Sequence, residues 1–395
     1  MHLFSFILWN FDPTFFTINL SGIGWGVYPI RWYGLFFAIG FLISQQVMFY
    51  MYKDEAGTDL AKKKEAEKFV ESITVYMIVA TIVGARLGHV LFYQPMDYLT
   101  HPLRILNLRE GGLASHGGAI GILFALWLFS KYRINTKKGT KTGLFLIKTD
   151  RGYNYLQILD RIVIVVALTG ALIRFGNFTN SEIIGKPTHS DVGVVFVREV
   201  NDALTYDPRN TGWIDEVSFD KDASRSVTDG YVPITLNIFF NTKPTSEEAV
   251  NAYLKSGIKN VLVRISDHVH QSPDQPLNYT LEQKQGKYIA HIQTYGVARQ
   301  PSQLYESASS LLLFFFLFYI WSRRKRETPD GLLFGLFLVI LFTLRFLYEF
   351  TKENQVAFED KMALNMGQWL SIPFVIIGII VLIRSRKGAG QVTNS

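Results

Sequence analysis

The sequence predicts an all-α polytopic membrane protein with seven transmembrane helices and an inserted extracytoplasmic α+β head domain, and three observations carry that prediction. Of 395 residues, 48% are hydrophobic and 14% aromatic, while 18% are charged, against about a quarter in soluble domains. The apolar residues gather into runs long enough to cross about 30 Å of hydrocarbon. The Lys and Arg residues behind the formal charge of +7 fall in short clusters between those runs, which points to membrane orientation and not to nucleic acid as a partner. The absence of cysteine excludes a disulfide framework, Cys-ligated zinc, an iron–sulfur centre and an enzyme thiol nucleophile.

Along the chain, residues 1–8 are apolar but lack a basic leader, and Asp12 interrupts them. No cleaved signal is expected there; an interfacial aromatic segment on the outer face is. Spans are predicted near 29–52, 70–93, 114–131, 155–178, 303–321, 331–351 and 367–384. The loop after the first carries Lys53, Lys62, Lys63 and Lys64, and the loop after the third carries Lys131, Arg133, Lys137 and Lys138. Arg323, Arg324 and Arg326 follow the fifth, and Arg384, Arg386 and Lys387 follow the seventh. Seven spans place every cluster on the cytoplasmic side, with the N-terminus outside and the C-terminus inside. The charge-dense stretch from Lys53 to Glu71 reads equally as an amphipathic surface helix or a loop.

Between the fourth and fifth spans the composition turns polar, which divides the chain into a membrane domain of spans 1–4 (1–186), an inserted head (187–298), and spans 5–7 with a cytoplasmic tail (299–395). Residues 192–197, 234–240 and 288–292 alternate with β-branched and aromatic side chains and predict strands. Ser246 to Leu254 predicts a short helix with early carboxylates, ended by Gly257, and Val261 to Ile265 predicts a further strand. The pair His268 and His270 reads as exposed and of low specificity. No internal repeat is found.

The chemistry is expected at polar residues inside the spans, where an Arg or Lys costs roughly 2.5–3.5 kcal/mol. Arg86, Arg174 and Arg345 lie in the outward halves of spans two, four and six, while His116, Arg31 and Tyr33 open spans three and one from the same side. Snorkelling groups would divide between the two faces; these six do not, which predicts one outward-facing pocket for an anion. Arg174 and Arg345 fit bidentate phosphate contacts. Arg86 reads as a binder or as one half of a structural ion pair with Glu349 or Glu306, and Arg31 and His89 as binders or snorkelling groups. Gly117 and Gly118, beside His116, let a headgroup approach the backbone or let helices pack closely. Imidazole changes charge near neutral pH, so His116 suits a general base. No HxxxH or HExxH motif or Asp/His cluster accompanies it, so no metal is predicted, and no cofactor.

Arg174-Phe175-Gly176-Asn177-Phe178-Thr179-Asn180-Ser181-Glu182-Ile183-Ile184-Gly185 is similar to the signature Gly-Arg-x-Gly-Asn-Phe-x-Asn-x-Glu-x-x-Gly of the bacterial phosphatidylglycerol–prolipoprotein diacylglyceryl transferase family. Further matches occur in the family's order. They are Ile30-Arg31-Trp32-Tyr33-Gly34, Gly84-Ala85-Arg86-Leu87-Gly88, Ser115-His116-Gly117-Gly118, Arg299-Gln300-Pro301-Ser302-Gln303-Leu304-Tyr305-Glu306, Arg345-Phe346-Leu347-Tyr348-Glu349 and Gly367-Gln368-Trp369.

The resemblance implies transfer of a diacylglyceryl group from phosphatidylglycerol to the lipobox cysteine of a preprolipoprotein, in a bacterial plasma (inner) membrane, with release of glycerol 1-phosphate. It implies that His116, Arg174 and Asn177 are functional, and the chemistry of such a transfer assigns His116 as general base or positioning group, Arg174 and Arg345 as leaving-group stabilisers, and Tyr33 as an orienting hydroxyl. Asn177, Glu182 and Gly185 belong to the headgroup-binding signature. Ile173 and Thr179 depart from that signature, Leu341 stands where a Tyr is usual, and the head is longer than in many members. Two other classes stay open: a transporter of anionic lipid, whose substrate leaves unchanged, and an anchored head that tolerates loss of His116 and Arg174.

Overall fold

The computed structural model describes residues 6–23, 26–107, 112, 114–138, 141–206, 212–244, 246–353, 359 and 361–392. Its helices are α1 (Trp32–Glu55), α2 (Leu60–Phe92), α3 (Pro95–Thr100), α4 (Ser115–Lys131), α5 (Tyr155–Thr179), α6 (Arg198–Thr205), α7 (Glu247–Tyr253), α8 (Lys259–Arg264), α9 (Ser302–Arg324), α10 (Leu332–Tyr348) and α11 (Met366–Val392). Six are long and apolar enough to cross a membrane: α1, α2, α5, α9, α10 with the turn to Thr351, and α11. They mark a multi-pass membrane protein. The third predicted span, α4, is apolar but has 17 residues, about 26 Å at 1.5 Å each, short of the roughly 30 Å hydrocarbon layer. The charge-dense stretch after α1 is no separate element. Asp59 caps α2 by accepting from the amides of Ala61 and Lys62 at 2.8 and 3.4 Å, and the helix runs from there into the second apolar run.

The chain divides into two compact units. One comprises Ala38–Ala171, Ser309–Leu344 and Leu370–Ser395. Its core is lined by Met51, Ile73, Leu126, Phe129, Ile158, Ile164, Trp321 and Leu333. Polar groups are buried in it as pairs. Arg161 contacts Glu55 through Nε at 3.1 Å and Nη2 at 3.0 Å. Trp321 Nε1 donates to the same Glu55 carboxylate at 2.7 Å, and Tyr153 Oη donates to its other oxygen at 3.1 Å. Burial, then the Glu55 charge and that hydrogen bond, push the Tyr153 phenol up to about 12. Asp160 accepts from the amides of Gly331 and Phe334 at 2.7 and 2.8 Å, capping the start of α10.

In the same unit α2 and α4 meet backbone to backbone: a Cβ on Gly117 would lie 2.4 Å from the Gly84 carbonyl oxygen and 2.6 Å from the Gly88 Cα. Small residues permit this approach between apolar helices. After α4 the chain forms an antiparallel hairpin, Tyr132–Lys138 with Lys141–Lys148.

The other unit comprises Met1–Phe37, Leu172–Ala308 and Arg345–Trp369. It holds an antiparallel sheet whose neighbours run Tyr279–Lys284, Lys287–Gly296, Val232–Phe240, Ile214–Lys221, with Val269–His270 also paired to Lys287–Gly296. Gln285 and Gly286, at φ 53° and 78°, make the tight turn between two of these strands, as a two-residue hairpin loop requires. Alternate residues Ile234, Leu236, Ile238 and Phe240 enter a core with Ala290 and Ile292.

Two expectations are corrected here. Val261 to Ile265 is not a strand: the chain passes from α7 through a π-turn, Leu254–Ile258, into α8. Leu254, Ile258, Val261 and Leu262 are buried at helical spacing, and a short β-branched run does not by itself tell strand from buried helix. Gly257 has a negative φ and interrupts nothing. Near the N-terminus, residues 1–5 lie outside the described residues. Phe6 is buried in the sheet core and Ile7–Trp9 pair in parallel with Val194–Phe196. His268 is buried, not exposed: its Nε2 meets Glu199 Oε2 at 2.7 Å. That hydrogen bond is the main reason Glu199 sits below the usual carboxylate range.

Candidate active site

Residues of the expected signature occupy the end of α5 and the loop beyond it. Asn177, buried, donates through Nδ2 to Glu182 Oε2 at 3.2 Å, and its carbonyl accepts from the Glu182 amide at 2.9 Å. Asn180 Nδ2 reaches the other Glu182 oxygen at 3.1 Å, and Gln303 Nε2 donates to the Glu182 carbonyl at 2.6 Å. These bonds hold Ser181 and Ile183 at φ 56°, a left-handed conformation that costs a β-branched residue of order 1–3 kcal/mol and persists where surroundings enforce it. Tyr33, at the start of α1, lies against Gly176, where a Cβ would stand 3.1 Å from the Tyr33 Cα.

Gly185 is a place of backbone contact. A Cβ there would lie 2.3 Å from the Gln300 carbonyl oxygen, and its own carbonyl accepts from Arg299 Nη1 at 3.0 Å. Arg299, only 2% exposed, also donates to Glu353 Oε1 at 2.8 Å and to the Asp267 carbonyl at 2.8 Å. It thus ties the signature loop to two other segments of its unit.

The arginines are joined by a chain of alternating charge. Arg174 Nε meets Glu306 Oε2 at 2.7 Å, and Glu306 Oε1 meets Lys352 Nζ at 2.5 Å. Lys352 also reaches Glu349 Oε1 at 3.2 Å, and that oxygen lies 4.0 Å from Arg345 Nε. Asn365 Nδ2 donates to the other Glu349 oxygen at 3.1 Å. Three cations and two anions leave one net positive charge. The side chains of Lys352, Glu306 and Glu349 are 4%, 8% and 12% exposed, whereas those of Arg174 and Arg345 are 25% and 39% exposed. The buried links therefore fix the chain, and its two ends are the half-buried Arg174 and Arg345. Sequence reasoning missed Lys352, and it offered Glu306 and Glu349 to Arg86; the structure gives them to Arg174, Lys352 and Arg345.

Arg86, His116, Gly117 and Gly118 belong to the other unit. Arg86 is buried, with Nε on the Ile105 carbonyl at 2.9 Å, Nη2 on those of Arg104 and Asn107 at 2.6 and 2.9 Å, and Nη1 on that of Gly112 at 3.2 Å. Its guanidinium lies over the Tyr98 ring at 5.1 Å. These contacts make Arg86 a clamp on the segment leading to α4. Gly117 and Gly118 are buried against α2. His116, exposed in the first turn of α4, has its ring 5.5 Å from that of Phe92 and 5.9 Å from that of Tyr93.

A model of the family described as prolipoprotein diacylglyceryl transferase matches residues 22–384. The chain is similar, at 33% identity over 98% of its length and 97% of the relative's, to a phosphatidylglycerol–prolipoprotein diacylglyceryl transferase of Porphyromonas gingivalis. Proteins of the same description from Tolumonas auensis, 31% identical over 96% of this chain and 98% of theirs, and from Bacteroides fragilis, 32% identical over 94% and 93%, are similar as well.

Proposed function

Since the chain belongs to the prolipoprotein diacylglyceryl transferase family, we propose that it transfers the diacylglyceryl group of phosphatidylglycerol to the lipobox cysteine thiol of preprolipoproteins, the first step of their lipidation. The cysteine sulfur forms a thioether bond to the glycerol carbon, the bond from that carbon to the phosphate oxygen breaks, and glycerol 1-phosphate leaves with the electron pair. The nucleophile comes from the substrate, in keeping with a chain that has no cysteine.

The observation that carries this reading is the charge chain from Arg174 to Arg345, with its net positive charge and its half-buried arginine ends. A departing phosphate monoester gains negative charge, and fixed cations stabilise that charge more in the transition state than in the ground state. Arg174 and Arg345 are the leaving-group stabilisers, and Tyr33 orients the headgroup. Asn177, Glu182 and Gly185 shape the signature loop that holds Arg174 in place. His116 takes the thiol proton, since the thiolate is the reactive form. Arg86, Gly117 and Gly118 keep the helix that carries His116 in position.

The same reading gives α4 the role of a seventh span, its short apolar length met by local thinning of the bilayer. An odd number of spans sets the termini on opposite faces of the bacterial plasma membrane, the N-terminus and the head 187–298 outside and the C-terminus in the cytoplasm, between membrane domains 1–186 and 299–395. The test is a purified assay with phosphatidylglycerol and a lipobox peptide, following peptide mass and glycerol phosphate release. A gain of one diacylglyceryl unit, lost in His116→Ala and Arg174→Ala, is expected; a wild type that leaves the peptide unchanged across lipid and detergent conditions overturns the proposal.

A further inference from the structure

The hairpin of Tyr132–Lys138 and Lys141–Lys148 takes no part in the site described above, and its composition is one-sided. From Lys131 to Lys148 the chain holds Lys131, Arg133, Lys137, Lys138, Lys141 and Lys148 and no Asp or Glu. A bias of basic residues toward one membrane face accounts for the side on which such residues lie. It does not account for an ordered hairpin, since two strands alone are marginal in water and need a further surface to pack on.

The hairpin also carries apolar residues outward. Ile134 and Leu146 are direct cross-strand partners and are 47% and 59% exposed, so they form one exposed apolar pair. Its base is anchored at an apolar–polar boundary. Lys131, the last residue of α4, lies over the ring of Trp127 at 5.6 Å, and Arg151 lies over that of Phe129 at 3.9 Å while its Nη2 donates to the Tyr132 carbonyl at 3.4 Å. A Trp and basic residues at the end of an apolar helix mark the headgroup level of a bilayer.

We infer that this hairpin is a docking arm for anionic phospholipid headgroups: the Ile134–Leu146 pair sits among the uppermost acyl carbons and Lys131, Arg133 and Lys148 contact the lipid phosphates. The occupant follows from charge complementarity, six cations without a carboxylate, and from the position of the hairpin between two apolar helices. The inference goes beyond the transfer reaction and stands whether or not the peptide is modified.

The chain's lack of cysteine makes the test direct. The full-length Leu146→Cys variant, labelled with an environment-sensitive fluorophore, is reconstituted into phosphatidylcholine vesicles with or without phosphatidylglycerol. A blue shift with several-fold brightening is expected only in the anionic vesicles. It should be reversed in the same protein by molar salt, which shortens the screening length to about 3 Å, and be absent when Lys131→Gln, Arg133→Gln and Lys148→Gln are added. The salt arm needs no further substitution, so misfolding of the triple variant does not obscure the result. Equal emission in both lipids, or a shift that survives salt, overturns the inference.

Discussion

Lys352 is the residue on which the charge chain turns. It is buried between Glu306 and Glu349, and removing one partner of a buried ionic group leaves the others uncompensated, a loss of about 3–5 kcal/mol. Lys352→Met is therefore expected to lower the thermal unfolding midpoint in detergent sharply and to abolish activity, whereas Lys352→Arg keeps the charge and most of both. Arg174→Lys tests a different property: it retains charge but loses the planar fork. Catalytic turnover should fall by roughly 10²–10³-fold, the scale of one lost transition-state donor, with little change in the unfolding midpoint. Equal losses of stability in both variants would reduce Arg174 to a structural role. At the same scale, the depressed Glu199 carboxyl, bonded to His268, contributes stability that is complete above its unfolded value near 4.5. That contribution disappears as the pH falls through the lower folded value. A pH series of unfolding midpoints should show an acid-side decline that is shallower in Glu199→Gln.

Among the elements, the α2–α4 seam makes the sharpest prediction. Gly117→Ala forces a methyl group onto the Gly84 carbonyl, while Gly170 in α5 has nothing within 4 Å of where a Cβ would stand. Gly117→Ala should lower the unfolding midpoint, and Gly170→Ala should leave it unchanged or raise it by up to about 1 kcal/mol of helix stability. Elements also show how far the sequence could be read. Apolar length located α1, α2, α5, α9, α10 and α11, because hydrocarbon thickness is a local constraint on composition. The Asn177–Glu182–Gly185 spacing located the signature loop, which closes on itself through short-range hydrogen bonds. Lys352 was hidden because a cation just past a span resembles any orientation residue, and only tertiary packing sets two carboxylates on it. Asp160 and Arg161 went unnoticed inside an apolar run for the same reason: their partners lie in α1 and around the start of α10. Val261 to Ile265 misled because its apolar spacing satisfies two periods at once.

For the molecule as a whole, the cysteine-free sequence allows orientation to be measured residue by residue. Under the proposed topology, Thr280→Cys reacts with a membrane-impermeant maleimide added to intact spheroplasts, and Ser322→Cys reacts only after lysis. The opposite pattern would invert the assignment of inside and outside. The sheet unit adds a constraint on dissection. Phe6 enters its core and Ile7–Trp9 pair with Val194–Phe196, so the head boundaries at 187 and 298 cut through a structure that also draws on the N-terminal strand.

The Asp160 cap has a further consequence during synthesis. Glu55 precedes Arg161 in the chain, so that pair can form as soon as α5 is made. The amides of Gly331 and Phe334 lie 171 and 174 residues after Asp160. At roughly 5–20 residues per second, a ribosome reaches them some 10–35 s later, and for that interval the nascent α5 must hold a carboxylate whose permanent donors do not yet exist. Ribosome-bound chains arrested before residue 331 should accordingly be cleaved more readily near α5 than chains arrested well after α10, and Asp160→Asn should narrow the difference.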